Sequence, residues 1–163
     1  MEIFDAIKKM IGNPDNTTHD INHLLLVHSF AALIGRMEKL NDRTQYVLEL
    51  AAVVHDISCP YLRSEYGSAP GERQERESEK YLSKFFEDEN IDEEILKRIF
   101  YLVSHHHTYS DINGLDYQIL IEADFLVVAQ EKHLSEQIIR NTQHKIFKTE
   151  SGKSLLENIL LRG

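Results

Sequence analysis

Leu48–Ser58 reads LELAAVVHDIS, and its last residues decide what kind of fold can hold it. A segment this apolar all round belongs in a protein interior. Ionisable side chains are almost never buried without a partner. His55 and Asp56 therefore call for one. A divalent metal is the simplest, because it accepts an imidazole nitrogen and a carboxylate oxygen side by side.

Working outward, the chain offers more ligands of the same kind. Upstream, HDINHLLLVHSFAALIG (His19–Gly35) carries His23 on an apolar helix. Residues 23, 27, 30 and 34 share one face at three- and four-residue steps, so His23 should point into the core. Downstream, RIFYLVSHHHTY (Arg98–Tyr109) holds the run His105, His106, His107, and YQILIEADFLVVA (Tyr117–Ala129) buries Asp124. Ligands spread over about a hundred residues on separate helices can meet only inside a helical bundle. Without a metal, two buried carboxylates would force at least one pKa up sharply.

The remaining punctuation is helical. Ile3–Ile11 reads as a short helix stopped by Gly12-Asn13-Pro14. Thr17 or Thr18 can cap a helix to about Leu40, and Asn41 or Asp42 one that ends near Ile57. Pro60 to Arg73 reads as a loop. Further helices are expected at about Glu75–Glu87, Asp92–His106, Asp116–Lys132, Glu136–Gln143 and Ser151–Leu161. No segment alternates at period two, so the predicted class is all-α with little or no sheet. One domain over 1–163 is expected, with a core at about 18–132 and C-terminal helices at 134–161.

Composition sets outer limits. Of 163 residues, 42% are hydrophobic, enough for a core, and 28% are charged. The net charge of −9 argues against general nucleic-acid binding. The one cysteine, Cys59, cannot form an internal disulfide and is read as a packed small residue. No apolar run reaches about twenty residues, so no membrane span is expected. The charged N-terminal stretch does not read as a secretory signal. A cytoplasmic location is the resulting expectation. The closing SLLENILLRG can pack on its own chain or on a neighbour, which leaves a homo-oligomer open.

The order of these residues resembles the HD superfamily of metal-dependent phosphohydrolases. His23 lies in a D-x-x-H stretch with Asp20, His55–Asp56 matches the family's doublet, and Asp124 matches its closing aspartate. The resemblance covers roughly Asp20 to Val128. It implies an all-α HD-type bundle with His23, His55, Asp56 and Asp124 around one divalent cation (Fe, Mn, Mg, Co or Zn). It also implies that Asp56 helps to orient the nucleophilic water. Some branches hold a second metal on an adjacent histidine pair, for which His105 and His106 are favoured here, with His107 the spare. Those branches also use a histidine between the doublet and the pair. The interval Cys59–Leu82 has none, and Glu75 or Glu77 could stand in. The usual Gly-Lys continuation of the doublet is replaced by Ser58-Cys59.

The implied reaction is hydrolysis of a small phosphate ester or nucleotide by metal-activated water. Arg73 and Arg76 are candidate phosphate contacts, although a Glu/Arg-rich run is most often a solvated face. The alternative is a degenerate HD domain that binds a nucleotide or a partner without catalysis. His19 reads as a supporting group, and His28, His133 and His144 as surface or hydrogen-bonded core histidines.

Overall fold

Capping chemistry sets where most of the helices begin. The computed structural model describes residues 1–162. Among these there are nine helices and no strand: α1 (Ile3–Ile11), α2 (Thr18–Met37), α3 (Asp42–Val54), α4 (Cys59–Tyr66), α5 (Gly71–Phe86), α6 (Glu93–Val103), α7 (Leu115–Glu131), α8 (Glu136–Ile146) and α9 (Glu150–Leu160). Thr17 opens α2 with a reciprocal box: the Asp20 amide donates to Thr17 Oγ1 at 3.2 Å, and the Thr17 amide donates to Asp20 Oδ2 at 2.8 Å. Asn41 opens α3 by accepting from the Thr44 amide at 2.9 Å.

The bundle is centred on α2, α3 and α7, which pack on one another; α6 lies against α3 and α9 against α7. The all-round apolar character of α3 and α7 explains this placement. Every residue from Val47 to His55 is buried. Along α7, from Asp116 to Ala129, only Phe125 and Val128 are less than fully buried. Gly35 lets α2 approach α3 closely: a Cβ there would collide with Gln45 and lie 3.1 Å from Leu48 Cδ2. No helix among the described residues is long and apolar enough to cross a membrane.

One local expectation is overturned. The segment from Pro60 to Arg73 is not a continuous loop. It contains the start of α5 and all of α4 except its first residue, with only residues 67–70 between the two helices. Pro60 sits in the first turn of α4, where its missing N–H costs nothing, and Gly67 ends that helix at φ 73° in the left-handed region.

Candidate metal centre

Four elements deliver side chains to one point. Asp20, fixed by the Thr17 box, sets the register of α2, and His23 follows one turn later on the same face. His55 is the residue that ends α3, and Asp56 lies in the turn that leads to α4. Asp124 comes from the middle of α7, and His106 from the turn after α6.

The distances are short and mutual. His23 Nε2 lies 3.2 Å from His55 Nε2, 3.3 Å from Asp124 Oδ1 and 3.5 Å from Asp56 Oδ2. His55 Nε2 lies 3.6 Å from Asp124 Oδ1 and 3.8 Å from Asp56 Oδ1. His106 Nε2 reaches within 3.3 Å of Asp56 Oδ1. That approach lies off the angle of a hydrogen bond, and the fully buried Nε2 has no hydrogen-bond partner.

The opposite nitrogen of each ring is already committed. His55 Nδ1 donates to Ala52 O at 2.9 Å, and His106 Nδ1 donates to Val103 O at 2.7 Å. His23 Nδ1 is held by both oxygens of Glu131 at 3.1 Å. An acceptor behind a ring keeps the proton there and leaves the other nitrogen's lone pair facing inward. Two imidazole nitrogens 3.2 Å apart cannot both carry a proton between them. Converging lone pairs, two carboxylates and an orphaned buried nitrogen suit a divalent cation. His23, His55 and Asp56 form a group that could hold one, as do Asp56, His106 and His107.

Charge shapes the same cluster. Burial opposes a charged His23, but its contact with Asp124 and the charges of Asp56, Asp124 and Glu131 push its pKa up to about 9. Burial also opposes ionisation of Asp124 and Asp56. The histidines outweigh it and hold both carboxyls well below the usual range. Burial and then the charge of neighbouring His106 push His107 down to about 4. Burial, with Asp56 nearby, pushes the Cys59 thiol far up, so it is no nucleophile.

Two expectations from the sequence are corrected. The histidine pair at the cluster is His106–His107, not His105–His106. The chain leaves helical geometry after Val103, and His105 turns away. Its ring stacks on Tyr101 at 4.2 Å, with Nδ1 held by Tyr101 O at 2.7 Å. Arg73 and Arg76 do not line the pocket at the cluster either. Arg73 lies over the Tyr66 ring at 4.0 Å, and the well-exposed Arg76 lies 3.8 Å from Glu77. Glu75 instead accepts from the His107 amide at 2.9 Å and from Thr108 Oγ1 at 3.1 Å, which pins the turn. The side chain facing His107 is Gln74, whose Oε1 lies 2.9 Å from His107 Nε2 while its Nε2 donates to Ala69 O at 2.6 Å.

A pocket of about 270 Å³ opens above the cluster, and its lining includes Asp56, Asp124, Arg63, Gln74, His107 and Lys132. Sequence reading missed Arg63, Gln74, Glu131 and Lys132. Glu131 had a legible signal: residues 124, 128 and 131 share one face of α7, at helical spacing.

An all-helical bundle that gathers histidines and aspartates from successive helices at a pocket floor defines a histidine–aspartate domain. Residues 20–143 match the HD domain family model, and the chain belongs to that family, whose members are typically metal-dependent hydrolases. Its fold is similar to that of a crystal structure described as a predicted HD superfamily hydrolase from an uncultured Thermotogales bacterium. The TM-score is 0.65 at 23% identity, over 96% of this chain and 82% of that one. No curated protein matches the chain.

Proposed function

We propose that the protein is a metal-dependent phosphohydrolase that acts on a small phosphate ester. The observation that carries this reading is the convergence of His23, His55, Asp56 and Asp124, with Nε2 of both histidines turned inward by acceptors behind their rings. These four residues would hold one divalent cation. His106, with its orphaned Nε2, and His107 are candidates for a second, shared through Asp56. When bound, such a cation supplies a Lewis acid that offsets charge on a phosphoryl oxygen and acidifies water.

The chain's own groups would do the rest. Asp56 is half-buried and lines the pocket, so one of its oxygens can accept a hydrogen bond from the attacking water and orient it. Glu131 positions His23 from behind its ring. The cytoplasm is the proposed location.

A second reading, a domain that binds its ligand without turnover, draws on Gln74. That amide, rather than a histidine or a carboxylate, faces His107. One experiment separates the readings. Purified protein is assayed for bound metal, then for hydrolysis of nucleotides and phospho-sugars with Mn, Fe, Co or Mg. The hydrolase reading expects metal-dependent turnover that His55→Ala abolishes together with metal content. Metal uptake without turnover of any phosphate ester selects the binding module. Full activity and unchanged metal in His55→Ala would overturn the assignment of the centre.

A further inference from the structure

One wall of the pocket is used by none of the metal chemistry. It is contributed by α4 and by the residue just past α7. Cys59 and Arg63 lie four residues apart on α4 and both line the pocket. Both oxygens of Asp20 accept from Arg63 Nη2 at 2.7 Å, and Asp20 itself is fixed by the amide and hydroxyl of Thr17. The guanidinium is thereby oriented, while its Nε and Nη1 have no protein acceptor among the described residues. Lys132 caps the C-terminus of α7, is exposed at the pocket, and forms no ion pair among the described residues.

The acids around this pocket are all turned toward partners. Asp20 holds Arg63, Glu131 holds His23, and Asp56 and Asp124 face imidazoles. Lys132 is the one lining cation without an ion pair among the described residues, and Arg63, though paired with Asp20, still has N–H donors to offer a ligand. Leu24, Ala69 and Val128 add an apolar strip for an organic group.

We propose that Arg63 and Lys132 form a clamp for the phosphate dianion of a small phosphomonoester; this rests on the phosphohydrolase reading of the same pocket. Two cations beside a bound metal match a terminal phosphate, which carries more charge than a diester. The Arg63 N–H groups not engaged by Asp20 can each donate to a phosphate oxygen, and the ammonium adds a point charge. A pocket of about 270 Å³ takes a compact ester, and a chain of net charge −9 repels a polyanion.

The test uses the full chain loaded with metal. Inorganic phosphate is titrated calorimetrically into wild type, Lys132→Gln and Arg63→Lys; the second variant keeps a cation beside Asp20 so that the chain still folds. Metal content is measured for each. Steady-state rates are taken with p-nitrophenyl phosphate and with its bis(p-nitrophenyl) diester. Both variants should hold wild-type metal and bind phosphate about 10-fold more weakly, a difference of about 1.4 kcal/mol. KM for the monoester should rise by a similar factor, with kcat falling less. Wild-type phosphate affinity in both variants, with the monoester still hydrolysed, would overturn the clamp and leave the hydrolase intact. Faster turnover of the diester, unchanged by either substitution, would overturn the monoester class. A metal-loaded wild type that binds no phosphate and cleaves neither ester would take down the clamp and the hydrolase reading together.

Discussion

Glu122 and Asp124 are both buried carboxylates, two residues apart on α7, and they do opposite things. Glu122 is 0% exposed and Asp124 7%. Glu122 is surrounded by donors: its Oε1 accepts from Gln118 Nε2 at 2.6 Å and from the amides of Lys148 and Thr149 at 2.7 and 3.0 Å, and its Oε2 accepts from Thr149 Oγ1. It fastens the connection between α8 and α9 to the bundle. Gly152 lies so close that any Cβ there would collide with its carboxylate. Asp124 instead meets the inward nitrogens of His23 and His55, with a second carboxylate, Asp56, in the same cluster. Burial is common to both. What separates support from chemistry is whether the neighbours are donors already satisfied by the contact or lone pairs that still need a positive charge.

The largest expected effect follows from Asp124. Asp124→Asn should lower metal affinity by more than about 100-fold, beyond what loss of an outer-shell group causes. Hydrolysis should fall with it. Its melting temperature in EDTA should also fall, because His23 and His55 favour the charged Asp124 carboxylate in the folded state. The stabilisation of wild type by added metal, about 3 kcal/mol at a free concentration on the order of 100 times Kd, should vanish in the variant. Metal-dependent thermal shifts read all of this. A variant that keeps the shift would break the contrast at its functional end.

Glu122→Ala should do the reverse. It leaves the buried Thr149 amide and hydroxyl and the Gln118 side-chain amide without this acceptor, and an unsatisfied buried donor costs about 1–3 kcal/mol. Chemical denaturation should show that loss, while metal bound per folded molecule stays at the wild-type value. Loss of metal in a still-folded variant would mean that the two carboxylates are not independent.

The same contrast explains what the sequence could disclose. His23 was legible because α2 is a regular helix, whose period told which side faces in. The burial of α3 and α7 was legible from their all-round apolar character. His107 was not, because the chain leaves helical geometry after Val103, where a 3.6-residue period no longer says which of three adjacent histidines turns inward. Arg63 was hidden by reading Pro60, Gly67 and Pro70 together as loop punctuation. Pro60 and Gly67 instead mark the first turn and the stop of α4, an eight-residue helix over Cys59–Tyr66. Glu122 carried little signal of its role: Gln118 lies one turn away on α7, but its other three donors come from residues 26 and 27 positions away.

Asp20 sharpens the comparison with the smallest effect. It stands at the pocket like Asp124 but is satisfied like Glu122, by Thr17 and Arg63. Burial opposes its ionisation, yet the Thr17 hydroxyl and amide and the Arg63 guanidinium outweigh that, and its pKa falls below the ordinary 3.8. A carboxyl depressed in the folded state contributes stability that is fully present above its unfolded pKa. That contribution is lost as the pH falls through 3.8 toward the folded value. Asp20→Asn should therefore cost about 1–2 kcal/mol near neutral pH, the scale of a helix cap with a charge-assisted bond. The gap between wild type and variant should be flat above about pH 5 and should close as the pH falls through 3.8 and below. Urea melts of both proteins along that series measure it. A gap that stays constant down to about pH 3 would mean that the Asp20 charge adds nothing and that its hydrogen bonds alone hold the start of α2. Asp20 would then resemble Glu122 only in geometry, and the orientation of Arg63 would have to come from elsewhere on α4.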